Sequence, residues 1–232
     1  MAAAMTPPNG VIVEIGSFKG KSSVMLGTVA KEYNGGPAVA IDPHTFDNPE
    51  LANHRASTGS SWAEFTANVE RAGISQVIEA HRAFSTDMAA NWTRPIRLLW
   101  IDGNHTYAGA KADFDGFMPS VIPGGVVAFH DALHPFTGPI RVFIEDVLRS
   151  DKFGAAGFVG SIAWAQYRPE TGSQFRRIRE AVERAARRLL PYVADDGQLH
   201  GIRKLAYKLK RARVPRSAIT PEYFAQLIEP TA

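Results

Sequence analysis

The 232-residue chain predicts a doubly wound α/β fold: a three-layer sandwich with a mostly parallel sheet and a terminal antiparallel hairpin, followed by a basic, mainly helical extension. Three observations predict it. Apolar segments of strand length alternate with segments whose apolar residues recur at helical spacing, the signature of successive βαβ units. Val11-Ile12-Val13-Glu14-Ile15-Gly16 and Leu98-Leu99-Trp100-Ile101-Asp102-Gly103-Asn104-His105 each drive an apolar strand abruptly into small and polar groups. Gly124-Gly125-Val126-Val127-Ala128-Phe129-His130-Asp131 does the same. In a parallel sheet the carboxyl ends of the strands share one rim, so these clusters are expected to face a common crevice.

The elements follow in order. A first strand over 11–15 enters the loop Gly16-Ser17-Phe18-Lys19-Gly20-Lys21-Ser22; Val24, Met25, Val29 and Ala30 then mark a helix that Gly35-Gly36-Pro37 stops. Ala38 to Ile41 reads as the second strand, ending at Asp42-Pro43. The polar stretch His44 to Ser60 has no periodicity and reads as a binding loop or lid. Next come a helix from Ser61 to Ala72, a strand at Gln76 to Ala80, a short helix from Ser85 to Trp92 and a strand at Ile96 to Ile101. A helix from Tyr107 to Met118 closes at Pro119, and Val126 to Phe129 forms a strand after a Pro123-Gly124-Gly125 turn. Ile140, Phe143, Ile144 and Val147 share one face of a helix from Pro139 to Leu148; Phe158-Val159 and Ile162 to Tyr167 pair around Gly160-Ser161. Gln174 to Leu190 and Ile202 to Arg211 read as helices, and Pro215 to Ala232 as a tail without a clear pattern. The first body is therefore 1–168 and the basic extension 169–232.

Composition narrows the class. At 45% hydrophobic and 21% charged residues the chain is globular rather than disordered. Its longest apolar runs, such as Gly154 to Ala165, are too short to span a bilayer, and Met1 to Gly10 lacks a signal-peptide pattern. The absence of cysteine excludes disulfides and thiolate metal sites, and a cytoplasmic location is the default expectation. The net charge of +3 hides an asymmetry: residues 1–170 carry 13 basic and 17 acidic side chains, residues 171–216 carry 13 and 4. The ordinary reading of that segment is a solvated helix face with contacts in a homo-oligomer. The alternatives are nucleic acid, an anionic membrane surface or an acidic partner.

Two constellations carry chemistry. In the first, small residues from Gly16 to Ser22 allow a tight turn and close approach of backbone to a ligand. The loop matches neither the Gly-x-Gly-x-x-Gly dinucleotide fingerprint nor a P-loop, since position 15 is Ile where the earlier glycine would stand. Asp42, closing the second strand, suits two ribose hydroxyls. In the second, Asp102 and Asp131 end two strands with His130 beside one of them, a set able to hold a divalent cation. A bound cation lowers the pKa of a substrate hydroxyl, and His105, three residues after Asp102, stands where it can take the proton. Gly103-Asn104-His105 superficially suggests a metallophosphoesterase, but the upstream Asp-x-His pair is missing.

Together these residues resemble the class I S-adenosylmethionine-dependent methyltransferases over about residues 11 to 167. The resemblance assigns Gly16, Ser17, Gly20 and Ser22 to the methionine end of S-adenosylmethionine, with Glu14 in support. It places Asp42 on the ribose, Asp102 beside the cofactor, and Ala83-Phe84-Ser85 at adenine, with Ala83 where the family usually has Gly. Ile-Asp-Gly-Asn-His-Thr-Tyr followed by Pro-Gly-Gly-Val-Val-Ala-Phe-His-Asp is similar to the metal-dependent O-methyltransferase branch that includes macrolide-sugar enzymes and the cephalosporin-hydroxylase-like group. That likeness implies His105 as general base, a saccharide or glycosylated metabolite as acceptor, and Mg²⁺ as the ion. A direct His130 ligand would admit Mn²⁺. A phenolic or polyketide hydroxyl is the alternative acceptor. Ala132 to Pro139, with His134, Phe136 and Thr137, is expected to border the crevice; Trp62, Trp92 and Trp100 can stack on a sugar or serve the core.

Overall fold

The structure is a computed structural model that describes residues 2–33, 36–45, 60–216, 218 and 220–228. Most of the stretch read as a lid, residues 46–59, lies outside the described residues. Seven strands form one sheet: β1 (Val11–Ile15), β2 (Ala38–Ile41), β3 (Ile78–His81), β4 (Ile96–Ile101), β5 (Val121–Phe129), β6 (Phe153–Val159) and β7 (Ile162–Tyr167). Their order is β3-β2-β1-β4-β5-β7-β6. The pairs from β3 to β5 are parallel, and β7 runs antiparallel to both β5 and β6. Chain order reverses between β1 and β4, so the crevice at their carboxyl ends is the switch point where doubly wound sheets bind ligands.

Alternation along the strands builds two apolar layers. Val13, Ile15, Leu99, Ile101, Val127 and Phe129 face one layer with Phe114, Ile140 and Phe143. Ile12, Leu98, Trp100, Val126 and Ala128 face the other with Leu26 and Ala30. The helices are α1 (Ala2–Met5), α2 (Lys21–Glu32), α3 (Trp62–Arg71), α4 (Ser85–Ala89), α5 (Tyr107–Phe117), α6 (Thr137–Val142), α7 (Arg176–Ala186), α8 (Gly201–Arg211) and α9 (Pro221–Ile228).

Four expectations need correction. Pro123-Gly124-Gly125 is not a turn ahead of β5 but an irregularity inside it: the pairing jumps from Ile96↔Val121 to Leu98↔Val126, and Gly124 takes φ 84°. The first hairpin strand begins at Phe153 instead of Phe158. The helix expected to reach Leu190 ends at Ala186 and tightens to a 3₁₀ segment over Arg187–Tyr192, because Pro191 has no N–H to give. In the tail, α9 forms and buries Phe224 and Ile228 against the sheet, with Phe224 and Trp164 rings 5.1 Å apart.

The basic extension is packed onto the first body. Ala186, Leu189, Leu199, Tyr207 and Val214 join the apolar cluster that contains Ile140 and Phe143. Arg179, 1% exposed, donates to the carbonyls of Leu148, Phe153 and Gly172 and to Asp151, so its buried charge is fully partnered.

Candidate active site

One row of backbone hydrogen bonds sets the site. The first residue beyond each strand donates its N–H to the last carbonyl of the neighbouring strand: Asp42 to His81 at 3.1 Å, Gly16 to Ile41 at 2.9 Å, Asp102 to Ile15 at 2.8 Å and His130 to Ile101 at 2.9 Å. The four residues therefore stand side by side, about 4.8 Å apart as strands are. Gly16 carries φ 84°, and a Cβ there would lie 2.1 Å from the Asp102 carbonyl oxygen. Among the described residues only Phe18, His44 and Asp131 take a positive φ without being glycine, and each adjoins this row. Strain of that kind, costing about 1–3 kcal/mol per residue, gathers where geometry serves a ligand.

At the first end, Asp42 accepts from the backbone N–H of Phe18 at 2.8 Å and of His44 at 2.6 Å, which ties the glycine loop to β2. His44 is buried, its Nδ1 2.9 Å from Ser61 Oγ and its ring packed on Trp62 and Phe65. Burial lowers its pKa against the pull of Asp42, so it buttresses the aspartate as a mainly neutral ring. Gly20, at φ 83°, precedes α2. The side chains of Ser22 and Ser23 bond Glu14, and Ser17 is buried. Of the loop residues, Gly16 and Phe18 line the cavity, while Glu14, Ser17, Gly20 and Ser22 do not.

Glu14, 1% exposed, is pushed up to about 7 by burial, opposed by the hydroxyls of Ser22 and Ser23 and reinforced by the charges of Asp102 and Asp42. A carboxyl raised on folding gives stability that is complete below its ordinary 4.5 and lost as pH rises through about 7. The unfolding free energy is therefore expected to fall by on the order of 3 kcal/mol between about pH 5 and about pH 8. Glu14→Gln should flatten that slope in urea titrations; an unchanged slope would place its origin in other groups.

At the other end, His130 Nδ1 lies 3.0 Å from Asp102 Oδ1 and 3.2 Å from Asp131 Oδ1. His105 Nε2 is 3.4 Å from the same Asp102 oxygen, and His134 Nδ1 is 3.3 Å from Asp131 Oδ2. The close Asp102 carboxylate raises the His130 pKa despite its burial, and the neighbouring imidazoles hold Asp131 below the usual carboxylate range although burial opposes them. Two carboxylates thus converge on one imidazole. In kind, two carboxylates and an imidazole suit a divalent cation. Among the described residues no three such groups surround an open centre, because the His130 ring occupies the point where the carboxylates converge.

His105 is fixed from several sides. It precedes Thr106, whose hydroxyl caps α5 by accepting from the Gly109 N–H at 3.1 Å. Its carbonyl accepts from Gly138 at 2.9 Å, and its ring stacks on Phe136 with centroids 4.6 Å apart. The extension clamps that support: Ala194 N donates to Pro135 O at 2.9 Å and Thr137 N to Ala194 O at 3.2 Å.

One cavity of about 580 Å³ unites the two ends, within the range of small-molecule sites. It is lined by Gly16, Phe18, Asp42, Phe84, Ser85, Asp102, His105, Asp113, His130 and Asp131, among others. His134 and Phe136 touch Asp131 and His105 but lie outside its lining. Trp62, Trp92 and Trp100 are also outside it and pack on Phe65, Phe117 and the His130 ring respectively. Asp113 also lines the cavity, with no role assigned to it from sequence. Asp113 is buried, accepts from Ser85 Oγ, and is pushed up to about 6 by burial against the pull of that hydroxyl.

A mostly parallel sheet of this order, with its glycine turn and acidic strand tips gathered at the switch point, fits the class I S-adenosylmethionine-dependent methyltransferases that the sequence resembles. The chain belongs to the methyltransferase-domain family, which matches residues 13–132. In fold it is similar to the calicheamicin methyltransferase CalS11, at 18% identity over 71% of this chain and 74% of that one, with a TM-score of 0.55. The O-methyltransferase NovP matches at 14% identity over 70% and 73%, with a TM-score of 0.57. TomG, an O-methyltransferase of tomaymycin synthesis from Streptomyces achromogenes in complex with S-adenosylmethionine, matches at 20% identity over 69% and 74%, with a TM-score of 0.51.

Proposed function

We propose that the protein moves a methyl group from S-adenosylmethionine to a hydroxyl of a saccharide or glycosylated metabolite, with His105 as general base. The observation that carries this reading is the single cavity in which Gly16, Asp42 and Ser85 meet Asp102, His105, His130 and Asp131. In this reading the methionine end of the donor lies against Gly16, whose lack of a side chain lets the tips of β1 and β4 meet. Asp42 turns to the ribose, and Phe84 with Ser85 and Asp113 borders the adenine. Asp102 closes the middle of the row.

Chemistry then needs an acceptor oxygen in line with the methyl carbon and a place for its proton. His105 Nε2 takes that proton as the oxygen forms its bond to the methyl carbon. The carbon–sulfur bond breaks with its electron pair going to sulfur, leaving S-adenosylhomocysteine, a methyl ether and an imidazolium. Asp102 Oδ1, 3.4 Å from Nε2, stabilises the imidazolium charge as it forms. Asp102, Asp131 and His130 are the donors that suit a divalent cation, Mg²⁺ or Mn²⁺; holding one would require the His130 ring to leave the point where the two carboxylates converge, and the bound ion would lower the pKa of the acceptor hydroxyl. Phe136 keeps the base upright through ring stacking. A sugar acceptor draws support from CalS11, a TDP-rhamnose 3'-O-methyltransferase of like fold with a TM-score of 0.53.

The test is methyl transfer from labelled S-adenosylmethionine over a panel of nucleotide sugars, glycosides and phenols, with and without a chelator. Turnover of a sugar hydroxyl that the chelator removes and Mg²⁺ or Mn²⁺ restores is the expected result. Turnover confined to phenols would overturn the acceptor class, and chelator-resistant turnover would overturn the metal.

A further inference from the structure

Among the described residues, the outer face of α8 has no role in the site and no partner in the fold. Ile202, Leu205 and Leu209 are 86%, 58% and 58% exposed. At about 100° per residue they form one stripe, roughly 170° round the helix from Tyr207, the helix's buried residue. Cations flank the stripe, Lys204 and Lys208 on one side and Arg203 and Lys210 on the other, and the helix has no acidic residue. Among the described residues, Lys204, Lys208 and Lys210 have no carboxylate partner. On α7 and the turn after it, Arg177, Arg184, Arg187 and Arg188 are exposed as well. Scattered exposed leucines are ordinary, but an aligned apolar stripe bordered by cations marks an interaction surface.

We propose that α8 docks the protein on an anionic lipid bilayer, as a helix lying in the plane of the interface. Its three aliphatic side chains enter the acyl boundary, and the flanking lysines and arginines reach the headgroups along their own apolar stems. Charge sorts the other occupants. Two copies joined by a two-fold axis through this stripe would set the same cations against each other, which disfavours a dimer here. Nucleic acid rewards the cations but gives three aliphatic side chains nothing to enter, since its single strands stack on aromatic rings. A bilayer satisfies stripe and cations together. On its inner face, Tyr207 packs in the apolar cluster of Ala132 and Leu133, the two residues after Asp131, so docking would tie the catalytic rim to the surface.

The test is sedimentation of the full chain with phosphatidylcholine vesicles, neutral or containing roughly a third phosphatidylglycerol, at low and physiological salt. Partitioning at least about tenfold stronger onto the anionic vesicles is expected, weakening with salt. Ile202→Ser/Leu205→Ser/Leu209→Ser and Lys204→Gln/Lys208→Gln/Lys210→Gln should each lose that binding while keeping the wild-type circular dichroism, since the apolar three lie opposite Tyr207 and the three lysines have no carboxylate partner among the described residues. Equal partitioning onto neutral vesicles, or none at all, would overturn the proposal. So would an apolar triple variant that binds like the wild type, binding of duplex RNA in place of vesicles, or a dimer abolished by the same variant without vesicle binding.

Discussion

His105→Ala is expected to lower kcat for methyl transfer by about 10²–10⁴-fold, the usual contribution of a positioned general base, while S-adenosylmethionine binding by calorimetry stays within about twofold. The split follows from position. His105 sits between the tip of β4 and the cap of α5 with its Nε2 3.4 Å from Asp102, whereas Asp42 is held by Phe18 and His44 and Ser85 by Asp113. His105→Gln separates basicity from shape: it keeps a hydrogen-bonding group of similar reach but cannot hold a proton, so it should be as slow as alanine. Turnover at the wild-type rate in either variant would sink the assignment of the base, and substantial rescue by glutamine alone would reduce His105 to a binding group.

Phe136 refines the same expectation, because the base is only as well placed as the ring beneath it. A Cβ on Gly197, which has φ 64°, would come 2.3 Å from the Phe136 ring, so the extension fits this aromatic without room to spare. None of that support is local in sequence: His105, Phe136 and Gly197 belong to three separate loops.

That separation explains what the sequence reveals and what it hides. Strands β1, β2 and β4 are legible because both of their faces are buried, so they read as continuous apolar runs. The polar residue after each run is legible for the same reason, which puts Asp42, Gly16, Asp102 and His130 on one rim. The start of β6 is hidden because Gly154-Ala155-Ala156-Gly157 has neither β-branched residues nor alternation; it becomes a strand by pairing with β7. Helix α9 is hidden because its apolar residues gain meaning only against Trp164. Asp113 did leave a signal, an acid within the buried stripe Ala110-Asp113-Phe114-Phe117 of α5. A charge at such a position calls for a buried partner, and Ser85 supplies it. His44 gave the opposite lesson: its neighbourhood pointed to the crevice rim, whereas the ring turns inward to hold Asp42 in place.

Gly16→Ala should be more damaging to the fold than any other single methyl group near the site. The new Cβ would meet the Asp102 carbonyl oxygen at 2.1 Å and the Gly103 nitrogen at 2.7 Å, all backbone atoms that cannot swing aside. The backbone also carries φ 84° there, a region alanine enters at a cost. Relief requires the tips of β1 and β4 to part, which would break the Asp102 N–H bond to Ile15 at 2.8 Å and disturb the row that aligns Asp42, Asp102 and His130. The expected loss is roughly 2–4 kcal/mol of unfolding free energy, measured by urea denaturation, with S-adenosylmethionine affinity falling at least about tenfold in the fraction that stays folded. Gly36→Ala is the matching control: it too has a positive φ, 72°, but its Cβ would approach nothing nearer than 3.6 Å, so it isolates the conformational cost alone. If the two variants lose equal stability and both bind the donor as the wild type does, close contact between the strand tips is not what positions the cofactor loop.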